Sequence, residues 1–300
     1  MNDFTDNFET AILKKEGRAT CDEKEVKCLQ RNNCGAASIT ITRMGAKTNN
    51  GTDAVKYIYI DDNASKTDEH ITATTKSGHY VFDNCNLTGY RCSEMTAMAI
   101  SMLYGRPRKV GFIGTGKTNL LNAITVCKRF GIEEMVIRGS KRNLAKNMGE
   151  FMTVFDDVKV DASHDMNLLN KCDVVIECCN NCRKEELLSS DMLRGPKLIV
   201  ALDCGFLLDE SFRANRVSFA DWPEQLENHY NEEFVFDKDF HSFHQMRYDH
   251  EPYEKGVVYL YGIAISDAVA AERVIKRIRK DGMENEFIVG KCRRSCLYVR

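Results

Sequence analysis

Three hundred residues, 43% hydrophobic and 29% charged, describe an ordinary globular chain, for which two domains of roughly 150 residues each are expected. A formal net charge of -2 with no long run of Lys or Arg gives no electrostatic support to a nucleic-acid or membrane-surface role, so a small molecule is the expected ligand. No apolar stretch approaches the roughly eighteen residues of a membrane helix, and the opening Met-Asn-Asp-Phe-Thr-Asp is acidic where a signal peptide is basic and then apolar, which predicts a cytoplasmic protein.

Residues 4 to 30 place Phe8, Ala11, Ile12, Val26 and Leu29 at helical spacing with a break near Gly17, which predicts two short helices. Ala36 to Met44 and Ala54 to Asp61 are β-rich runs separated by the turn-forming segment Gly45 to Asp53, and His70 to Thr75 and His79 to Asp83 continue the pattern. A sheet-containing domain of roughly one hundred residues is therefore expected first.

Thr88 to Leu103 reads as a helix dense in small residues. Arg91 near its beginning opposes the helix dipole, so a bound carboxylate, held by Arg91 together with the helix N–H groups, is one reading; a solvated surface arginine is the other.

The next stretch, Arg108 to Leu121, satisfies two phosphate-binding patterns. From Gly111 it is G-x-x-x-x-G-K-T, a P-loop; from Gly114 it is G-x-G-x-x-N, a dinucleotide fingerprint with its third glycine replaced by Asn119. A P-loop needs a buried strand that ends before Gly111, yet residues 104 to 110 are charged and contain Pro107. The dinucleotide reading makes Lys109 to Ile113 the strand, Gly114 the tight turn and Gly116 the point where backbone approaches a pyrophosphate. Leu120, Leu121, Ile124, Val126 and Cys127 then recur near helical spacing, giving a helix whose N-terminus suits a phosphate in either reading. A P-loop phosphotransferase or NTPase, with Asp203 after the apolar run Leu198 to Leu202 as its magnesium ligand, remains the rival.

Beyond this point strand and helix alternate: strand Met135 to Ile137, helix Arg142 to Phe155, strand Lys159 to Asp161, helix Met166 to Asn170, and strands Asp173 to Glu177, Leu198 to Leu202 and Val217 to Phe219. That alternation predicts an α/β fold with a Rossmann-type doubly wound parallel sheet, joined to an α+β substrate and dimerisation domain. The expected boundaries are 1–104 with 262–300 for the latter and 105–261 for the former. Residues 221 to 255 are polar and irregular and carry His229, His241, His244 and His250, without an i, i+4 pair on a clear helix, so loop histidines are expected rather than ligands. Thirteen cysteines include Cys178-Cys179-Asn180-Asn181-Cys182 and a pair at Cys292 and Cys296, but neither has the paired spacing of a zinc ribbon, so reduced thiols and no metal are expected. Val257 to Tyr261 reads as a last strand and Ile263 to Ile278 as a last helix, with Asp267 near its start.

Four stretches together resemble the ornithine cyclodeaminase/mu-crystallin family: Leu87-Thr88-Gly89-Tyr90-Arg91, similar to L-T-x-x-R; Val110 to Gly116, similar to V-G-I-I-G-T-G; Ala220-Asp221-Trp222, similar to D-D-W; and Gly262 to Asp267, similar to G-x-A-x-x-D. The likeness covers roughly residues 80 to 280 and is weaker from 30 to 80. It implies a homodimer of two-domain subunits that use a nicotinamide cofactor to move hydride at a carbon bearing nitrogen, as amino-acid dehydrogenases, ketimine reductases, cyclodeaminases or opine-type enzymes; it also implies the alternative of a crystallin-like protein that binds the cofactor without turnover. By the same resemblance Arg91 matches a substrate-carboxylate arginine, Arg31 (or Arg43) a second one, and Lys56 a lysine that contacts substrate and relays protons. The family's cyclodeaminase acid follows the strand at 199 to 202; here Asp203 stands near that place but out of register in a shortened segment, which argues against cyclisation.

The expected cofactor set is Gly114, Thr115, Gly116, Lys117 and Thr118 on the turn, Ser140, Lys141 and Arg142 after the following strand, and Cys178 at the end of the strand 173 to 177. An NAD-specific site places an acid after the second strand to accept hydrogen bonds from the ribose 2′-hydroxyl. Arg138 to Asn143 contains no acid, so NADP is expected, with NAD possible.

Overall fold

The computed structural model describes residues 39–47, 51–61, 66–76, 78–155, 157–179, 187–202, 207–221, 223, 240–242 and 254–280. The two helices expected before residue 31, Arg31 itself, Asp203, Cys182 and the histidines other than His241 in the 221–255 stretch lie outside the described residues. The chain divides into two compact units, Met1–Arg91 with Ile263–Arg300, and Cys92–Gly262. The division falls inside a helix rather than at the connector near residue 104 that composition suggested.

In the first unit, β1 (Ile39–Lys47), β2 (Asp53–Asp61), β3 (Lys66–Thr75) and β4 (Gly78–Asp83) form an antiparallel meander in that order. Short polar connections between β-rich runs produce such hairpins without crossovers. The last helix among the described residues, Ala264–Lys280, packs on β1, β2 and β3, burying Ala268, Val269, Ala270, Ala271 and Ile275. At its far end Arg279 donates to Tyr80 Oη at 2.7 Å and lies over the Tyr80 ring, tying the helix to β4.

Helix α1 (Asn84–Leu103) leads from β4 into the second unit. There β5 (Lys109–Ile113), α2 (Lys117–Phe130), β6 (Glu134–Arg138), α3 (Lys141–Val154), β7 (Lys159–Ser163), a 3-10 turn (Met166–Lys171), β8 (Val174–Glu177), β9 (Leu198–Ala201), α4 (Glu210–Asn215), β10 (Val217–Ala220), β11 (His241–Ser242) and β12 (Gly256–Tyr259) follow in chain order. The helix at 264–280 is α5. Among the described residues eight strands pair all-parallel in the order β11-β10-β12-β9-β8-β5-β6-β7. Helices on both faces bury the strands twice over, which is why β9 and β12 are runs of apolar residues and glycine without alternation and β8 is apolar up to its last residue, Glu177. The strand order reverses between β5 and β8. In doubly wound sheets ligands bind at the carboxyl ends of the strands at such a switch point.

The start of β5 is fixed by Asp173, whose carboxylate accepts from the backbone N–H groups of Arg108 at 2.8 Å and Lys109 at 3.0 Å. His241 belongs to a two-residue edge strand, β11, which no periodicity announces.

Candidate dinucleotide-binding site and substrate residues

The two phosphate-binding readings part at Gly111. It lies inside β5, in register with Val136 of β6 and Val175 of β8, so it is a ladder residue of a central strand and cannot open a P-loop. The strand runs to Ile113, and the turn begins at Gly114, as the dinucleotide fingerprint requires.

Gly114 has φ +102°, and a Cβ there would run into the carbonyl oxygen of Cys178. Only glycine makes this turn. Its N–H donates to Arg138 O at 2.9 Å and Cys178 N–H donates to Ile113 O at 3.1 Å, so the ends of β6 and β8 grip the turn from both sides. Gly116 is the N-cap of α2, extended, with no side-chain cap bond and no heavy atom within 4 Å of where a Cβ would stand. The first turn of α2 contains no acid and begins with Lys117 and Thr118. Uncapped N–H groups, the positive end of the dipole and empty space above a glycine fit a pyrophosphate.

Asn119, which breaks the glycine pattern, is fully buried and donates through Nδ2 to Ile113 O at 2.7 Å and Gly114 O at 3.0 Å. The third glycine of the fingerprint allows close helix–strand packing. Here a side chain fills that interval, giving the Ile113 carbonyl a second donor beside Cys178 N–H and providing one for the Gly114 carbonyl.

The second subsite follows β6. Ser140 is the N-cap of α3, and its Oγ accepts from Asn143 N–H at 3.2 Å, which leaves its hydroxyl hydrogen available to donate. Ser140, Lys141 and Arg142 are exposed, and no acid stands in the first turn. Arg138 ends β6, at the place of an NAD-type acid, and its buried Nε has no hydrogen-bond partner among the described residues. Cys178 is half-buried beside Gly114.

Of the expected substrate residues, Arg91 differs most from its sequence reading. α1 begins at Asn84, so Arg91 lies about two turns inside the helix, where N–H groups already bond to preceding carbonyls. The helix terminus cannot share a carboxylate with it. Arg91 is instead buried, with Nε 3.2 Å from Asp267 Oδ1 on α5. A solvated arginine is thereby excluded as well. Both charged residues belong to the first unit. Lys56 sits on β2 opposite Met44 and Ile71, in an interior strand of the meander rather than the edge strand a surface lysine would favour. Arg43 is on β1, opposite Tyr57.

Asp221 directly follows β10 and is buried; its two carboxylate oxygens accept from Tyr261 N–H at 3.1 Å and Gly262 N–H at 2.6 Å. The D-D-W-like acid thus fixes the exit of β12. Burial pushes the thiols of Cys127 and Cys172 up to about 12, so they pack as small apolar side chains. Among the described residues no group of His, Cys, Asp and Glu could hold a metal ion, and no helix is long and apolar enough to cross a membrane.

No family model matches the chain. A curated relative, Delta(1)-pyrroline-2-carboxylate reductase 1 of Burkholderia multivorans (strain ATCC 17616 / 249), is 35% identical over 69 residues, which is 23% of this chain and 22% of that protein, so the match spans under a quarter of the relative's length. Among solved structures, the probable ornithine cyclodeaminase of Bordetella pertussis Tohama I superposes with a TM-score of 0.66 at 18% identity, covering 81% of this chain and 83% of that one. The Delta(1)-pyrroline-2-carboxylate reductase of Thermococcus litoralis, solved in complex with NADH and L-proline, gives a TM-score of 0.66 at 16% identity over 93% of each chain. The fold is that of the ornithine cyclodeaminase-type proteins, as the four sequence stretches suggested, with a Rossmann-type unit inserted in an α+β unit.

Proposed function

We propose that this protein is an NAD(P)-dependent oxidoreductase that exchanges hydride at the C–N bond of a small amino or imino acid. The observation that carries the reading is the turn at Gly114 to Gly116: a glycine-only bend at the sheet's switch point, leading into an uncapped helix N-terminus over open space. The bound nicotinamide would supply or accept the hydride. Lys117 and Thr118 lie on the same first turn, and Cys178 borders it. The unpaired Nε of Arg138, with Ser140, Lys141 and Arg142, supports NADP(H) as the preferred cofactor, because a 2′-phosphate gains charge-assisted hydrogen bonds there while no carboxylate awaits a free ribose hydroxyl.

Arg91, oriented by Asp267, would hold the substrate carboxylate, with Arg31 as the second cation; Lys56 would exchange a proton with the substrate nitrogen or its neighbouring carbon. Asp203 is the remaining candidate acid. The architecture is read as a homodimer built through the first unit, for which the family resemblance is the support; sedimentation as a monomer would contradict it.

Titration of the intrinsic fluorescence of the single tryptophan, Trp222, with NADPH and with Mg-ATP tests the cofactor class. NADPH is expected to bind and Mg-ATP not to; the reverse would sink the proposal. Arg91→Lys keeps the charge opposite Asp267 but loses the guanidinium fork, so the KM for the carboxylate substrate is expected to rise far more than that for the cofactor. A protein that binds NADPH yet turns over no amino acid, α-keto acid plus amine, or cyclic imine would be the crystallin-like alternative.

A further inference from the structure

We infer that Asn147 is a positioning residue that locks the two phosphate subsites of the cofactor to one another, and thereby sets the preference for a 2′-phosphorylated dinucleotide. The inference rests on the cofactor reading above. Asn147 lies two turns into α3, the helix whose first turn carries Ser140, Lys141 and Arg142. Its side-chain amide reaches back across the sheet edge, and Nδ2 donates at 3.0 Å to both the carbonyl and the hydroxyl oxygen of Thr115. One amide nitrogen thus holds two acceptor atoms of a single residue of the glycine-rich turn. Thr115 is itself buried, and its carbonyl belongs to the peptide whose N–H is that of Gly116. The orientation of the pyrophosphate-facing amides is therefore fixed by a side chain of the neighbouring helix.

A second contact closes the same interval. A Cβ on Gly139, just before the Ser140 cap, would stand 2.9 Å from Thr115 Cγ2, closer than real Cβ atoms approach other atoms. The loop after β6 and the turn after β5 are consequently in contact at Gly139 and hydrogen-bonded at Asn147. Residues 115 and 147 share no local element, so their bond adds a side-chain tie to the backbone bond from Gly114 N–H to Arg138 O. The functional consequence follows from the shape of the ligand. A 2′-phosphorylated dinucleotide bridges the two subsites with a short, stiff adenosine, so its second contact is intramolecular and gains from a fixed spacing. A dinucleotide without the 2′-phosphate uses only the first subsite and tolerates play between them.

The test is calorimetric titration of NADP and NAD into the full-length protein and its Asn147→Ala variant, alongside thermal unfolding. Removing both hydrogen bonds is expected to weaken NADP by about tenfold and NAD by roughly threefold or less, narrowing the preference while the folded fraction at the titration temperature is unchanged. An equal loss for both cofactors, or no loss for either, would overturn the inference, since a merely structural residue has no reason to discriminate between them. If Asn147→Ala does not fold, Thr115→Val removes only the hydroxyl acceptor, keeps the carbonyl bond and the Gly139 contact, and is expected to narrow the preference in the same direction by less. Unmodified protein that binds dinucleotides without preferring NADP would refute this inference together with the 2′-phosphate subsite while leaving the dinucleotide site standing; binding neither would refute the whole cofactor reading, whereas a preference that survives Asn147→Ala unchanged would refute this inference alone.

Discussion

The N-termini of α2 and α3 follow adjacent parallel strands and face the same edge of the sheet, yet they are finished in opposite ways. At α2 the cap is Gly116, which offers no side chain and leaves the first N–H groups to whatever binds. At α3 the cap is Ser140, which already accepts one of those N–H groups, and what remains on offer are side chains: a hydroxyl hydrogen, Lys141 and Arg142. Backbone donors over open space suit a phosphodiester that every dinucleotide carries. Projecting cations suit a phosphate that only some carry. The general recognition and the specific recognition are thus separated onto two helices, and each can be damaged without the other.

The largest effect is expected at the first helix. Gly114→Ala meets both the positive φ and the Cys178 carbonyl, and strain of roughly 3 kcal/mol or more at the turn corresponds to a loss of about a hundredfold or greater in affinity for NADP and NAD alike. Retention of NAD binding by this variant would mean that the turn is not the pyrophosphate site. A smaller and selective effect is expected at the second helix. Ser140→Ala with Arg142→Ala removes charge-assisted donors worth roughly 1.5–3 kcal/mol each, so the NADP preference should narrow by about tenfold or more while NAD affinity holds. Equal losses for both would erase the distinction between the helices.

The contrast can also be sharpened without mutation. Raising ionic strength from about 0.05 to 0.5 M screens exposed cations, so NADP affinity should fall several-fold more than NAD affinity. Acidifying through about pH 6 protonates a phosphate monoester to its monoanion and should narrow the preference further in the same sense. Competition titrations across salt and pH check both, and a preference that ignores salt would exclude Lys141 and Arg142 as its source. The smallest expected effect concerns Cys127, which lies on α2 and has no counterpart on α3. Its thiol, like that of Cys172, is pushed up to about 12 by burial, so iodoacetamide at pH 8 should leave both unmodified in the native protein. An acid whose folded value exceeds its unfolded one is protonated only in the folded state between the two, so these thiols make unfolding easier as pH rises from about 9 towards 12. Thermal scans across that range should show a falling midpoint.

Much of the second unit was legible because its signals are local. β5 matches the expected strand at both ends, since a buried apolar run closed by a glycine turn is written in consecutive residues. Its resolution from the P-loop pattern needed the register of Gly111 with β6 and β8, which sequence alone only suggested through the charged connector. Asn119 looked like a flaw in the fingerprint because its worth lies in two carbonyls it reaches in space. Asn147 gave no signal at all: its partner is Thr115, on another element, and an asparagine inside an exposed helix reads as surface. Arg91 was found by its motif but misread in its setting, because the cap-type residues Asp83 and Asn84 start the helix four residues ahead of Thr88 and so place Arg91 inside it. Its ion pair with Asp267 joins the two sequence segments of the first unit and lies beyond any periodicity.

That first unit is assembled from both ends of the chain, and this has a consequence for how the protein is made. The meander β1 to β4 leaves the ribosome well before α5, which buries Ala268, Ala271 and Ile275 on packing against β1 to β3. Roughly 180 residues separate β4 from α5, which at synthesis rates of about 5–20 residues per second leaves the sheet without its helix for some ten to forty seconds. The contiguous Rossmann-type unit can fold within that interval. The nascent protein is therefore expected to pass through a state with its nucleotide half formed and an apolar sheet face still bare, a form for which molecular chaperones rather than cofactor are the first partners.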